Sequence, residues 1–175
     1  NFKLNENSLA VDIGSNDGIL LKGFQKFGVK TIGIEPATNI AKIAEENGVE
    51  TINDFFGKSA AEKIIAKRGH VDVITANNVF AHIGNIEDVI KNVKLLLKPN
   101  GIYVIEIQYF VDTIEKMTFA NVYHEHLSYF TLTSLTNFFE KHGMKIFDVQ
   151  RNDSHGCTLR AFIKKSEGNH QIKKL

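Results

Sequence analysis

Three observations predict an α/β protein built on a mostly parallel, doubly wound sheet. Short apolar runs alternate with stretches of helical period as far as Ile107. A glycine-containing turn joins the first run to the first helix. After Tyr129 the pattern changes: one more helix precedes two alternating runs with nothing helical between them, which predicts a C-terminal antiparallel strand pair.

Leu9–Ile13 (LAVDI) is the first strand and Gly14–Gly18 the turn. Ile19–Phe27 follows as a helix with Leu20, Leu21, Phe24 and Phe27 on a shared face. Thr31–Ile34 is the second strand. Asn39–Asn47 is a helix with Ile40, Ile43 and Ala44 as its stripe, closed by Gly48. Val49–Ile52 is a short third strand and Ala60–Lys67 a helix. Val71–Ala76 is the fourth strand, and Ile86–Leu97 a helix with Val89, Val93, Leu96 and Leu97 at helical spacing. Pro99–Gly101 reads as a turn into the fifth strand, Gly101–Ile107. Tyr109–Tyr129 has no clear period. Thr131–His142 is a helix, with Lys145–Gln150 and Thr158–Lys164 as the antiparallel pair. Apolar central strands suit a sheet covered on both faces. Residues 1–165 are expected to form one domain, and the polar tail 166–175 to fray or to begin a further region.

Composition bounds the function. At 175 residues with 43% hydrophobic and 23% charged, the chain can bury a core. Lys+Arg 21 against Asp+Glu 20 gives a net charge of +1, too little to track a phosphate backbone, so no nucleic-acid partner is expected. Cys157 stands alone, which excludes an intramolecular disulfide framework or a cysteine metal cage. No apolar run reaches membrane-span length, so no membrane partner and a cytoplasmic location are expected. The chain starts at Asn1 without Met, which reads as a trimmed chain or a fragment.

The segment Asp12-Ile13-Gly14-Ser15-Asn16-Asp17-Gly18 lies where doubly wound sheets bind ligands, at the carboxyl ends of the strands. Gly14 permits a tight turn and Gly18 a close helix start. A dinucleotide fingerprint needs glycine where Asn16 stands, which argues against an NAD-dependent oxidoreductase. Asp12 and Asp17 make the turn acidic, better for a cationic ligand than for a pyrophosphate. Glu35 ends the second strand seventeen residues beyond Gly18, where a carboxylate can accept both hydroxyls of a ribose. The alternative is an ordinary turn with a solvated Glu35. On the same edge, Asp54 is placed to read an adenine amino group and Phe55 to stack on the ring. A loop cap and a core aromatic are the plainer readings of those two. Asn77 and Asn78 close the fourth strand before His82.

The order DIGSNDG, GIEP, NDFF and NNVFAHI resembles a class I S-adenosylmethionine-dependent methyltransferase with a Rossmann-like fold. The segment VYHEHLSYFTLTSL (122–135) and the later SHGCTLR (154–160) narrow the resemblance. They are similar to the sugar C-methyltransferases that act on nucleotide-linked 4-keto deoxyhexoses. Cys157 stands where that family often has glycine. Its full-length members resemble a cysteine-rich zinc module, then this domain, then a C-terminal domain; neither flank is present in the chain.

The resemblance implies S-adenosyl-L-methionine as cofactor and a small-molecule partner, a nucleotide-linked keto sugar. It implies methylation at a carbon beside the ketone, with no metal. Such a reaction needs a base for the α-proton and a donor for the enolate oxygen. His126 is the implied base, with Tyr123 and Glu125 around the sugar and His82 as a second donor or acid. Strict alternation in an extended segment would pair Tyr123 with Glu125 and His124 with His126, yet His124 is expected to be structural. That conflict calls for a kink or a helical turn. His-x-His spacing could alternatively serve a metal, but three ligands are usual. Glu106 and Gln108 are expected at the substrate mouth. Arg160 suits either a substrate phosphate or an ion pair. His155 is expected in a turn, and His70, His142 and His170 at loops or surface. A small-molecule O-methyltransferase, or a cofactor-binding piece inactive without its flanks, remains the alternative.

Overall fold

A computed structural model describes residues 2–152 and 158–167. Seven strands form one sheet in the order β3-β2-β1-β4-β5-β7-β6. They are β1 (Leu9–Ile13), β2 (Lys30–Ile34), β3 (Thr51–Ile52), β4 (Val71–Asn77), β5 (Leu97–Gln108), β6 (Met144–Asn152) and β7 (Thr158–Lys165). Strands β1 to β5 pair in parallel. β7 is antiparallel to both β5 and β6 and lies between them. The chain leaves β1 first toward β2 and β3, then returns to start β4 on its other side. The turns after β1 and β4 therefore flank the point where the strand order reverses, the usual ligand crevice of such sheets.

Helices α1 (Ile19–Gln25) and α2 (Thr38–Glu46) follow β1 and β2, α3 (Lys58–Arg68) follows β3, and α4 (Ile86–Leu96) follows β4. Two short pieces, α5 (Phe110–Glu115) and a 3₁₀ turn Phe119–Asn121, interrupt the aperiodic stretch before α6 (Leu132–Lys141). α4 starts on an Asn85 cap and α6 on a reciprocal Thr131–Ser134 capping box, each supplying acceptors for otherwise orphaned N–H groups. The main core joins one sheet face to α3, α4 and α6 through Ile64, Ile90, Leu96, Leu135 and Phe139. Leu21 of α1 and Ala44 of α2 form a smaller cluster with Val49.

Local differences from the sequence expectations have physical causes. α1 stops at Gln25, so Phe27 leaves the helical face and is exposed. The buried residues of α2 are Ala41 and Ala44, while Ile43 is exposed, so the buried stripe is narrower than the sequence expectation. α4 passes straight into β5: the register jumps from Val71↔Leu97 to Val73↔Ile102, so Pro99 and Asn100 are accommodated as a bulge rather than a separate turn. His142 is partly buried against the Phe138 ring, with centroids 4.7 Å apart. No helix among the described residues is long and apolar enough to cross a membrane.

Tyr103 is fully buried, packs edge-on against Phe139, and leaves its hydroxyl without a partner among the described residues. Burial pushes its phenol far above the usual range. An unsatisfied buried hydroxyl costs about 1–3 kcal/mol. Tyr103→Phe is therefore expected to raise the unfolding free energy by about 1 kcal/mol in denaturant titration, and a lower value would reveal a partner for the hydroxyl.

Candidate active site

The turn after β1 is held by its backbone. The N–H groups of Gly14 and Ser15 both donate to the Ile34 carbonyl, at 2.9 and 3.1 Å. Gly14 has φ +68, and a Cβ there would fall 2.5 Å from Val79 Cγ2. The turn after β1 is thus pressed against the loop after β4, and only glycine fits the gap. Gly18, with φ +82, begins α1 against Val49, which a Cβ would meet at 2.7 Å. Asn16 between them takes a left-handed φ of 51.

Glu35 is tied to this turn. Its Oε2 accepts the Asn16 N–H at 3.0 Å and its Oε1 the Ala37 N–H at 2.9 Å. Asn53 steadies the same corner, its Nδ2 donating to the carbonyls of Glu35 and Pro36. The Glu35 carboxylate remains solvent-accessible, with acceptor capacity left for hydroxyl donors. Asp54 caps the Phe55 N–H at 2.8 Å and lies 3.6 Å from Lys63. Phe55 is 77% exposed, so it is no core aromatic.

Asp12 is buried beneath the turn and accepts a hydrogen bond from Thr75 Oγ1 at 2.5 Å. Burial pushes its carboxyl up to about 7; the Thr75 hydroxyl opposes this rise and the Glu35 charge adds to it. Asn77 ends β4 opposite Glu106. Asn78 adopts φ 53, a strained setting for a non-glycine residue, with its N–H on the Glu106 carbonyl at 2.7 Å.

Beside this edge lies a cleft of about 190 Å³. Asn78, His82, Gln108, Tyr123 and His126 wall it over Ala81 and Ile107. The conflict over alternation is resolved by a turn: His126 N–H donates to the Tyr123 carbonyl at 3.1 Å, which brings those two side chains to one side. The Tyr123 and His126 rings are 4.2 Å apart, and the His82 and His126 rings 4.8 Å apart. His82 Nδ1 lies 2.9 Å from the Glu125 carbonyl, and His126 Nδ1 lies 2.8 Å from the Asn121 carbonyl. A carbonyl only accepts, so each Nδ1 carries the proton and each neutral ring keeps its lone pair on Nε2. The Leu127 N–H bonds the Ala81 carbonyl at 2.9 Å, stitching the 123–126 turn to the 3₁₀ turn Phe80–His82.

The structure does not bring every expected residue to the cleft. The side chains of His124 and Glu125 are exposed, and Glu125 acts on His82 through its backbone. Glu106 is away from the mouth: it is buried, accepting from Thr158 Oγ1 at 2.8 Å and from Arg160 at 2.6 and 2.9 Å. Arg160 therefore takes its ion-pair reading. Ser154, His155, Cys157 and His170 lie outside the described residues. Among the described residues no three metal-ligating side chains converge. Sequence reasoning overlooked Asn121, whose carbonyl orients His126, and Val79, which makes Gly14 obligatory. Neither carries chemistry in its side chain, so nothing flagged it.

The strand order, the glycine turn and the acid at the end of β2 together define a class I S-adenosylmethionine-dependent methyltransferase. The chain belongs to the methyltransferase-domain family, whose model matches residues 2–149. Its methyl donor is S-adenosylmethionine. It is 35% identical over 170 residues to the C-methyltransferase NovU of Streptomyces niveus, covering 97% of this chain and 40% of that protein. It is 25% identical over 151 residues to the ubiquinone biosynthesis O-methyltransferase of Colwellia psychrerythraea, covering 79% of this chain and 61% of that protein. The chain thus spans less than two thirds of either relative. A solved methyltransferase of Archaeoglobus fulgidus shares the fold at TM-score 0.68 and 15% identity, covering 90% of this chain and 86% of that one.

The raised Asp12 value has a stability consequence. The folded protein keeps a proton that the unfolded chain has released between about pH 4 and 7. That stabilisation is complete below the unfolded value and lost as pH rises through about 7, a loss of the order of 4 kcal/mol. Asp12→Asn should flatten the fall in unfolding free energy between pH 5 and 8. An equally steep fall in the variant would assign the titration to another group.

Proposed function

We infer that the protein moves a methyl group from S-adenosylmethionine to a carbon beside the ketone of a nucleotide-activated deoxysugar. One observation carries this reading: His82, Tyr123 and His126 converge on one cleft beside the cofactor edge, with both histidines oriented through Nδ1. The 35% identity to a C-methyltransferase supports it.

The cofactor edge fits a nucleoside sulfonium. Gly14, Asn16 and Gly18, with Asn77 and Asn78 on the same edge, would hold the methionine part. The fixed Glu35 carboxylate would accept the ribose hydroxyls, Asp54 would take the adenine amino group and the exposed Phe55 would stack on the ring. Asp12 places a titratable acid beneath a bound cation, which favours its ionised form. When bound, S-adenosylmethionine supplies a methyl group already activated by its positive sulfur.

The chain's own residues generate the nucleophile. His126 Nε2 takes the proton from the carbon beside the ketone, and the C–H electron pair passes into the enolate. The Tyr123 hydroxyl donates to the developing enolate oxygen, with His82 as a second donor when protonated. The Asn121 and Glu125 carbonyls stabilise the imidazolium forms of His126 and His82 by accepting from Nδ1. The carbanion so formed would take the methyl group as a new carbon–carbon bond, the electrons of the broken carbon–sulfur bond staying on sulfur. His126 then yields its proton to water. The Glu125 side chain takes no part in this sequence.

The similarity to an O-methyltransferase favours one second reading, in which the same base deprotonates a hydroxyl. The product separates them, since an added C-methyl and an added O-methyl differ in carbon chemical shift.

Titration calorimetry with S-adenosylhomocysteine, with NAD as control, is expected to show binding of the first alone. Glu35→Ala should weaken that binding about tenfold, since it removes two hydrogen bonds to a charged acceptor. Unchanged affinity would free Glu35 of its ribose role. His126→Asn should lower turnover of a keto-sugar nucleotide roughly 10²–10⁴-fold while leaving S-adenosylhomocysteine binding intact. Full turnover would move the base elsewhere.

A further inference from the structure

The cleft holds one polar group that the transfer chemistry leaves unused. Gln108 closes β5 and lines the cleft, yet its Oε1 is buried without a hydrogen-bond partner among the described residues. Native proteins rarely leave a buried amide oxygen in that state.

Its surroundings do not satisfy it. His82 and His126 commit their Nδ1 protons to backbone carbonyls, so in the neutral state each offers the cleft only another acceptor at Nε2. Ala81 and Ile107 are apolar. Thr158, opposite Gln108 in the β5–β7 register, donates its hydroxyl to Glu106. Gln108 Oε1 and the two Nε2 lone pairs thus line the cleft as acceptors beside the Asn78 amide oxygen, and among the described residues the Tyr123 hydroxyl and the amide N–H groups of Asn78 and Gln108 are the side-chain donors. A ligand completes this set by bringing hydroxyl donors of its own. The cleft's size narrows the ligand further. At about 190 Å³ it is smaller than the roughly 300–1,000 Å³ of whole-ligand pockets, a size that suits a single ring rather than a whole nucleotide sugar.

We propose that Gln108 is a specificity-determining contact for the acceptor. Its Oε1 accepts a hydrogen bond from a ring hydroxyl near the methylated carbon, and so selects a polyhydroxylated ring over one without that hydroxyl. This deepens the keto-sugar reading and rests on it. Gln108 moves no proton in the reaction. It fixes the face and rotation of the ring against His126.

The test is a cycle between protein and acceptor. Wild type and Gln108→Leu are compared on thymidine diphosphate-4-keto-6-deoxyglucose and on its analogues lacking one ring hydroxyl. For wild type, one analogue should lose roughly 10–100-fold in kcat/KM, the scale of one unpaired buried hydrogen-bond group. In Gln108→Leu the parent sugar should fall by a similar factor and that analogue should barely change, so the discrimination disappears. The S-adenosylhomocysteine dissociation constant should stay within about twofold, which also reports folding. Should Gln108→Leu not fold, Gln108→Asn withdraws the amide by one methylene and is expected to lose the same discrimination. Undiminished discrimination in a folded variant would overturn the contact alone, as would a wild type indifferent to every ring hydroxyl. A wild type that binds S-adenosylhomocysteine yet neither binds nor methylates the parent sugar would overturn the keto-sugar reading and the contact with it.

Discussion

The contact between Gly14 and Val79 is the constraint on which the rest of the site depends. The turn after β1 and the loop after β4 are separated by about sixty residues of sequence, yet they meet at a distance that leaves no room for one methyl group. Parallel pairing of β1 with β4 brings them to the same edge. The missing Cβ then lets them close. Since Asn78 precedes Val79 and His82 follows it three residues on, closing that gap sets the distance from the turn after β1 to the cleft. A larger side chain at Gly14 would displace the loop after β4, and His82 would move with it.

The opposite wall of the cleft is carried by the segment between Tyr109 and Leu127, whose regular structure is only α5 and the 3₁₀ turn Phe119–Asn121 among the described residues. It is tied down at both ends. Tyr109 bridges Phe130 at the base, where the Phe110 N–H also bonds the Phe130 carbonyl. Arg151 reaches from β6 to the fully buried Asp112 and lies over the Tyr109 ring, so α5 is anchored to the sheet. At the far end the Ala81 carbonyl receives the Leu127 N–H, and Glu125 receives the His82 ring. Both histidines are thereby oriented by backbone carbonyls, His82 by Glu125 across the cleft and His126 by Asn121 of its own segment. That is economical pre-organisation, because a carbonyl has no rotamer to lose.

How much of this was legible in the sequence follows from what each feature depends on. The strands and helices through β5 were readable because burial on both sheet faces imposes apolar runs that local chemistry does not mask. The antiparallel end was readable too, from two runs too close for a crossover. Its order was not: that β7 enters between β5 and β6 is decided by long-range pairing. α5 escaped notice because six residues are too few for a period. At the site, Glu35, Asn78, His82, Tyr123 and His126 stood out by residue type. Glu106 misled, since an acid in an apolar strand looks functional until Arg160 is seen across the register. The orienting groups were invisible for a different reason. They are main-chain carbonyls, and every residue has one.

The position of β7 also bears on the order in which the molecule can be completed. β5 and β6 both precede it in the chain, but neither pairs with the other. Until Thr158–Lys165 has been synthesised, β5 presents a bare edge and β6 has no sheet to join. The described residues that line the cleft have by then all been synthesised, since the last of them is His126. The nascent chain therefore passes through a stage in which it carries those side chains before its sheet is complete. Arrival of the final strand pairs both edges at once, and one of them is the strand that bears Gln108. The strand that completes the sheet beside the cleft is the last of the described sheet to be made.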